Sequence, residues 1–427
     1  MPATTPNVGV RTFLDRVDKV PFLIADMSTI GGVFTPGTGL DRSKFPVDTP
    51  VHFTTDDAEM VAAAGSGTLK QAIEACNAMG VVCSIVATVP DILVADTAEQ
   101  QMSKMVGSST ARSGAWSMLS AQAETGAVPD ILIAPNYAHL RPSNAANPIV
   151  TAFDAISEQL ITPIVVAGTP SADKTVAVEW AADFAESINI VACAQGARVS
   201  VDGSPVIRDV APYIAALLAK TDKALGGPYF SPGNQPLTGI LGPSRAVSLN
   251  ISDPDCEANW LLQRGVNSIV QLEKNRTSRS INAPQGKQFW GFFNTSNDPL
   301  WRLINVVRTR KAVREVIPRT LVKYIGKNIG AHLAVTLRNS VVDFLGELAS
   351  LPEPVILPGF DVRWSRDLNS NAVLRVGGLV FSANFEESPA LVDLQIYTGR
   401  RESSFDILAS EIQAAMAQYN VTGVLGG

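Results

Sequence analysis

The sequence lacks most of the short patterns that mark enzymes and membrane proteins. Only 17% of its 427 residues are charged and 7% are aromatic. It contains no GxSxG nucleophile elbow, no GxxxxGK(S/T) phosphate loop and no complete GxGxxG dinucleotide fingerprint. The longest apolar run, from Val81 to Val89, stops at Pro90 and is too short to span a bilayer. These absences argue against a nucleotide-dependent enzyme and against a transmembrane protein.

Cysteine and histidine are scarce. The four cysteines are Cys76, Cys83, Cys193 and Cys256, and the three histidines are His52, His139 and His332. No CxxC pair occurs, and the spacing does not suggest the four converging ligands of a zinc site. The cysteines are either buried thiols or partners in disulfides that form after release into an oxidising exterior. We therefore predict no metal, no cofactor and no catalytic residue.

The N-terminus shows no basic region followed by an apolar stretch, as a signal peptide would. Hydrophobic residues make up 46% of the chain, so the composition is that of a folded protein with a sizeable core. We expect a protein made in a cytoplasm, with two or three domains for this length.

The middle of the chain alternates apolar strands with amphipathic helices. Such alternation is typical of βαβ units and a parallel sheet, and it predicts an α/β fold. The predicted strands are 131–133, 163–166 and 188–191, and the predicted helices are 151–160, 173–187, 210–225 and 255–264.

The last third has a different pattern. A helix is predicted from 299 to 317, with Asp298 as its cap, and Pro318 is expected to kink or restart the helix. A second helix is predicted from 320 to 351. Alternating segments then predict strands at 360–364, 373–381 and 391–397.

The charge is unevenly distributed. Between Arg302 and Arg338 the chain has nine basic residues and one acid, a net charge of +8. The remainder has 25 basic and 39 acidic residues, a net charge of −14. Such a segment is either a solvated helix face or a surface for an acidic partner. No helix-turn-helix or RNP pattern accompanies it, so nucleic acid is the weaker functional option.

Several motifs occur in an order that identifies a family. Lys287 to Gly291 reads KQFWG, and Asn297 to Arg302 reads NDPLWR before the basic helix. Phe45 to Thr54 reads FPVDTPVHFT, and Gly67 to Glu74 reads GTLKQAIE. In this order the motifs resemble the tail sheath proteins of contractile bacteriophages, especially the P2-like group. The resemblance covers most of the chain.

The resemblance implies a multidomain α/β fold. It implies an inner core of subtilisin-like topology without a catalytic site, a smaller inserted α+β domain at the periphery, and extended terminal arms. The implied boundaries are 1–20 for the N-terminal arm, 21–95 for the peripheral domain, 96–400 for the core and 401–427 for the C-terminal arm.

The implied function is structural. The subunit would polymerise as stacked hexameric rings around a tail tube and contract to drive the tube through the host envelope. Its implied partners are further copies of itself, the tube protein, and the baseplate and terminator proteins, without nucleic acid or membrane insertion. It would be assembled in the bacterial cytoplasm and act in the virion.

Two sets of residues are candidates for these contacts. The first set would face an acidic tube and comprises Arg308, Arg310, Lys311 and Arg314. The second would link neighbouring subunits by adding a strand to a sheet edge. This second set comprises Val8, Val10 and Phe13 in one arm and Val421 and Val424 in the other.

The alternative function is a subtilisin-like or other α/β hydrolase. A Ser-His-Asp triad would have to recruit one of three histidines. His139, in the loop from Asn136 to Pro142, is the least implausible of them, although an ordinary loop histidine is the expected interpretation.

Overall fold

The computed structural model describes residues 27–169, 173–272 and 286–417. The chain divides into two compact units, Met1–Ala390 and Leu391–Gly427. The second unit contains, among its described residues, a segment without regular secondary structure and one helix.

The strands within the described residues lie in the first unit. They are β1 Ile30–Val33, β2 Val51–Thr54, β3 Ser84–Thr88, β4 Ile131–Ile133, β5 Ile164–Gly168, β6 Ile190–Cys193, β7 Ala197–Val201, β8 Ser204–Arg208, β9 Gln235–Pro236, β10 Gly242–Pro243, β11 Val266–Leu272, β12 Gly286–Trp290, β13 Asp361–Arg363 and β14 Ser382–Asn384.

The α-helices are interspersed with the strands, and short 3₁₀ turns occur at Gly114–Ser120, Pro142–Asn144 and Val322–Tyr324. The helices are α1 Ala58–Ala63, α2 Thr68–Ala78, α3 Ala98–Val106, α4 Ala121–Thr125, α5 Pro148–Leu160, α6 Lys174–Ala182, α7 Ala211–Leu225, α8 Glu257–Leu262, α9 Ile304–Leu321, α10 Ala331–Ala349, α11 Asn371–Arg375 and α12 Ser403–Ala417.

One large mixed sheet organises the first unit. Its strand order is β2-β3-β1-β4-β5-β6-β11-β12-β9. The strands from β3 to β11 in that order pair in parallel, and β2, β12 and β9 pair antiparallel at the two sides. The predicted α/β class is therefore confirmed, and the described sheet is mostly parallel.

Both faces of the sheet are covered, as parallel sheets require. Successive strand residues point to opposite faces, so Val166 packs with α2 and α7 while Val165 packs with α5 and α6. Phe153 and Trp180 are fully buried in the second of these layers. This double cover explains why the central strands are continuous apolar runs in the sequence.

Most elements predicted from 131 to 264 are confirmed, but four predictions in the last third are wrong. The predicted helix at 320–351 is interrupted by a 3₁₀ turn and a loop from 322 to 330, and α10 begins only at Ala331. The predicted helix at 299–317 begins at Ile304, and Pro318 lies inside it near its end. Proline is tolerated there because Arg314, whose carbonyl loses its amide partner, faces solvent. The predicted strand 373–381 begins inside α11 and shows no strand, and 391–397 has no strand either.

The predicted domain boundary at residue 95 falls between strands of a single sheet. Strands β1 to β3, from the segment 21–95, pair with one another and with β4 from the predicted core. Met1–Ala390 forms one compact unit. The division into a peripheral domain and a core stays a prediction.

Candidate functional site

The FWG motif builds the junction between the sheet and α9. Phe289 is fully buried in the core, and Trp290 meets Phe292 edge to face at a centroid distance of 5.3 Å. Arg302 donates from Nη2 to the carbonyl of Leu262 at 2.8 Å and stacks over the ring of Phe293. The aromatic residues are therefore core anchors, as expected for this residue type.

Two buried asparagines hold the same junction. The Nδ2 of Asn294 donates to the carbonyls of Ile188 and Trp301, at 3.0 and 2.7 Å. The Nδ2 of Asn267 donates to the carbonyls of Ala192 and Phe293, at 2.9 and 2.7 Å. Buried amides with several partners fix a single chain path, so the entry of α9 is firmly placed.

Arg308 lies inside the protein rather than on its surface. Its side chain is 3% exposed and pairs bidentately with Asp222 of α7, with Nη1 2.8 Å from Oδ1. Its Nη2 also donates to the carbonyl of Met27 at 3.2 Å. A bidentate guanidinium–carboxylate pair is geometrically specific, so Arg308 joins α9 to α7 inside the protein.

Arg310 joins α9 to the segment that follows β14. Its guanidinium pairs with Glu387, donates to the carbonyl of Phe385 at 2.9 Å and stacks 4.0 Å from the Phe385 ring. Burial raises the pKa of Glu387, although the Arg310 partner opposes that shift. The contact is internal and about a quarter of the Arg310 side chain is exposed.

Lys311 is also buried. Its Nζ donates to the carbonyl of Pro163 at 2.6 Å, just before β5. Burial lowers the pKa of its ammonium to about 7, because the low-dielectric surroundings penalise the charged form. Lys311 thus ties α9 to the central sheet.

Of the four predicted tube-contact residues, Arg314 is exposed while Arg308 and Lys311 are buried. Further exposed cations follow Arg314 along the chain. The exposed cations Arg314, Arg319, Lys323 and Lys327 are here called the basic surface. Arg319 pairs with Glu315, and both lysines lie against the ring of Tyr324. Burial of Arg308 and Lys311 leaves Arg314 as the exposed member of the predicted set.

The arm candidates Val8, Val10, Phe13, Val421 and Val424 lie outside the described residues. The structure does show a small antiparallel sheet, β13 with β14, in register Val362 to Ala383. Within the described residues this sheet has two strands. Each strand therefore has one edge whose backbone groups are not used by the other.

The cysteines are free thiols and all four are buried. This agrees with the alternative of buried thiols rather than with that of disulfides formed after release. Burial raises the pKa of Cys193 to about 12, which makes it a poor nucleophile at neutral pH. Within residues 27–169, 173–272 and 286–417, no group of three or more potential ligands is placed to hold a metal ion.

Among the described residues, no hydrogen bond joins His139 to a serine or an aspartate, and its Nδ1 has no partner. Burial lowers the pKa of His139, and its neighbour Asp209 is also buried. The carboxylate of Asp209 accepts from the backbone amides of Asn136 and Ala211, both at 2.8 Å. Asp209 therefore anchors two chain segments.

None of the helices in the described ranges is long and apolar enough to cross a membrane.

Comparison with known proteins gives a consistent result. No family model matches the chain. A prophage major tail sheath protein of Pseudomonas aeruginosa is 26% identical over 391 residues, covering 90% of this chain and 92% of that protein. The tail sheath protein of Escherichia phage P2 is 22% identical over 388 residues, covering 88% and 91%.

Solved structures share the fold. The contracted helical sheath of the anti-feeding prophage superposes with a TM-score of 0.64 at 16% identity, covering 93% of this chain and all of the other. The contracted PVC sheath of an extracellular contractile injection system gives 0.65 at 12% identity, covering 93% and 99%. The hydrolase alternative has no support among these relatives, which are structural proteins. With its motifs in the family's order, its α/β architecture and relatives that match along nine-tenths of its length, the chain is a tail sheath protein, a structural and non-enzymatic subunit of a contractile sheath.

Proposed function

We propose that this subunit polymerises as stacked hexameric rings around a tail tube and contracts to drive the tube through a host envelope. The match to tail sheath proteins over nine-tenths of the chain carries the proposal. The sequence has no nucleotide-binding motif. Contraction therefore draws on free energy stored in an extended lattice, which relaxes when the subunits repack.

The contacts of α9 support rigid-body motion of the described part of the first unit. Arg308 binds α9 to α7, Lys311 binds it to the start of β5, and Arg310 binds it to the segment after β14. A helix held at three places cannot shift without breaking buried polar contacts. The lattice thus rearranges between subunits while each subunit keeps its internal packing.

The basic surface is the part of the basic segment that remains available for an acidic tube. Exposed ion pairs each contribute only about 0–1 kcal/mol. Several such pairs hold register in the extended state and still release on contraction. Exposed Val322 and Ile325 lie among the lysines and add apolar contact area.

The terminal arms are proposed to link neighbouring subunits. The sheet of β13 and β14 offers edges to which an extended arm of another copy adds a strand. Main-chain hydrogen bonds of this kind persist when the subunits rotate relative to one another. This linkage would keep the sheath continuous during contraction.

The other proposed partners are the baseplate and terminator proteins. One structural neighbour is the baseplate of the anti-feeding prophage, with a TM-score of 0.59 at 16% identity. By analogy a baseplate signal starts contraction here. Assembly in a bacterial cytoplasm and action in the virion complete the proposal.

The direct test is co-expression of this chain with the tube protein of the same particle, followed by negative-stain electron microscopy. We expect striated tubes whose outer layer is this chain. A monodisperse subunit that never coats the tube, under conditions in which the tube itself polymerises, would contradict the proposal.

A further inference from the structure

A small cavity beside α9 is lined by three cationic side chains. Its volume is about 170 Å³, and Arg310, Lys311 and Arg314 contribute to its wall together with Trp301 and Glu158. A water molecule takes roughly 30 Å³ in the liquid, so the cavity has room for a polyatomic ion. Trp301 and aliphatic side chains form the rest of the wall, which lowers the local dielectric and strengthens charge interactions.

Lys311 makes a single hydrogen bond, so it has N–H groups in this cavity that lack an acceptor among the described residues. Its ammonium carries three N–H groups, and the structure gives it one acceptor, the carbonyl of Pro163 at 2.6 Å. Among the described residues, no carboxylate forms an ion pair with it, whereas Arg310 is already paired with Glu387. Arg314 is exposed and likewise has no carboxylate partner among the described residues. A buried cation beside a second free cation is an expensive arrangement unless an anion joins them.

The charged groups around Lys311 come from two helices. Asp154 and Glu158 face it from α5, and Arg308 and Arg314 face it from α9. The carboxylate of Asp154 accepts from Ser187 and Asn189, and that of Glu158 accepts from Asn189 at 2.8 Å. Both carboxylates of α5 favour the charged form of Lys311, but they are hydrogen-bonded to neutral donors and form no ion pair with it among the described residues.

We propose that this cavity binds one oxyanion between Lys311 and Arg314. The ligand is either the carboxylate of an acidic side chain from an adjoining protein or a free inorganic anion such as phosphate. Both present two or more oxygens that accept hydrogen bonds from the ammonium and the guanidinium at once. Binding of a free anion concerns the isolated subunit alone, whereas binding of a neighbour's acidic side chain rests on the proposed sheath function.

The test compares urea unfolding of the monomeric chain in sodium phosphate and in sodium chloride at equal ionic strength. We expect phosphate to raise the urea midpoint saturably at pH 6.5, where Lys311 is largely charged. The rise should shrink at pH 9.5, where Lys311 has lost its proton. Ligands that bind only the folded state stabilise it in this saturable manner.

Matched variants separate this effect from the general action of phosphate on proteins. Lys311→Met and, separately, Arg314→Met should lose the saturable rise, while Lys323→Met, a cation outside the cavity, should keep it. An equal response to phosphate in the wild type and in both cavity variants overturns the proposal. The use of two cavity variants keeps the test valid if one of them folds poorly.

A second measurement distinguishes the two sources of the oxyanion. Saturating phosphate is added while subunits assemble on tubes. Slower assembly of the wild type, with Lys311→Met already slow and insensitive to phosphate, assigns the site to an acidic side chain of a neighbour. Unchanged assembly, together with the saturable stabilisation of the monomer, assigns it to a free anion.

Discussion

At the scale of single residues, the basic segment divides into buried and exposed cations. Arg308 is 3% exposed and Lys311 is 5% exposed, although both belong to the most basic part of the sequence. Both cations therefore make contacts within the protein, Arg308 with Asp222 and Lys311 with the carbonyl of Pro163. A count of charges cannot show this, because it does not indicate which side of a helix is covered.

The Arg308–Asp222 pair should be costly to break from either side. Removing one partner of a buried ion pair leaves the other charge unpaired and costs about 3–5 kcal/mol. We expect Arg308→Met to lower the free energy of unfolding by that amount, measured by urea denaturation. Arg314→Met, on the same helix but exposed, should stay within about 0.5 kcal/mol of the wild type. Equal effects of the two variants would contradict the assignment of Arg308 to the interior.

Lys311 should make stability depend on pH. Its pKa in the folded state is about 7, lowered mainly by burial, whereas an unfolded lysine titrates near 10.4. Between these values the unfolded chain binds more protons, so the free energy of unfolding contributed by this group rises with pH.

Lys311→Met removes that contribution. We expect the variant to be more stable than the wild type near pH 7 and to show a flatter stability profile from about pH 7 to 10. Urea unfolding across that range measures both effects. A wild-type profile that falls with pH there, and that the substitution leaves unchanged, would show that the ammonium is not buried.

Asp130 should behave in the opposite sense. Burial, and then the nearby charge of Glu315, raise the pKa of this carboxyl well above its usual range. Its stabilising contribution is therefore present at low pH and is lost as the pH rises through the raised pKa. We expect Asp130→Asn, which keeps an acceptor for the Thr29 amide, to increase stability at pH 8 relative to pH 5. An Asp130→Asn variant that is equally destabilised at pH 5 and pH 8 would contradict the raised pKa of Asp130.

At the scale of elements, the sequence predicted the helices and strands whose apolar residues recur at regular spacing. Helices α5 and α7 and strands β4 to β6 were predicted within a few residues, because their apolar spacing reports burial directly. The start of α9 was predicted wrongly. Asp298 and Pro299 resemble a helix cap in the sequence, but they occupy a turn that precedes the helix. The strand predicted at 373–381 failed because Ser370 caps a short helix there, accepting from Val373.

The basic surface gives a prediction at this scale. Arg314→Glu combined with Lys323→Glu should impair sheath assembly on tubes, since both positions are exposed and face the same proposed partner. Circular dichroism and urea unfolding should remain close to wild type, because neither side chain is buried. Normal extended tails from the double variant would place the tube contact elsewhere.

The terminal segments give another prediction. Removal of residues 1–14 or 420–427 should leave a soluble, folded monomer, since the core clusters that the structure describes are built from residues outside these two segments. Neither truncation should form a continuous sheath. Electron microscopy of both truncations checks this, and normal polymerisation by both would show that the linkage between subunits is made by other segments.

At the scale of the whole molecule, we propose that the subunits stay rigid while the contacts between them in the lattice rearrange. The parallel sheet with both faces covered and the internally bonded α9 make the first unit resistant to internal rearrangement. The described part of the second unit exposes apolar side chains such as Phe405 and Ile412, as a segment awaiting a partner would. The order of the motifs identified the family from the sequence, whereas the roles of single cations required the structure.

The central claim is that this chain contracts as a sheath without chemical fuel. The most direct measurement is electron cryo-microscopy of purified particles before and after triggering with acid or denaturant, in buffer depleted of nucleotide. We expect two helical lattices, extended and contracted, in which the described residues between 27 and 390 superpose closely. Contraction that requires ATP, or a fold of this unit that changes between the two lattices, would contradict it.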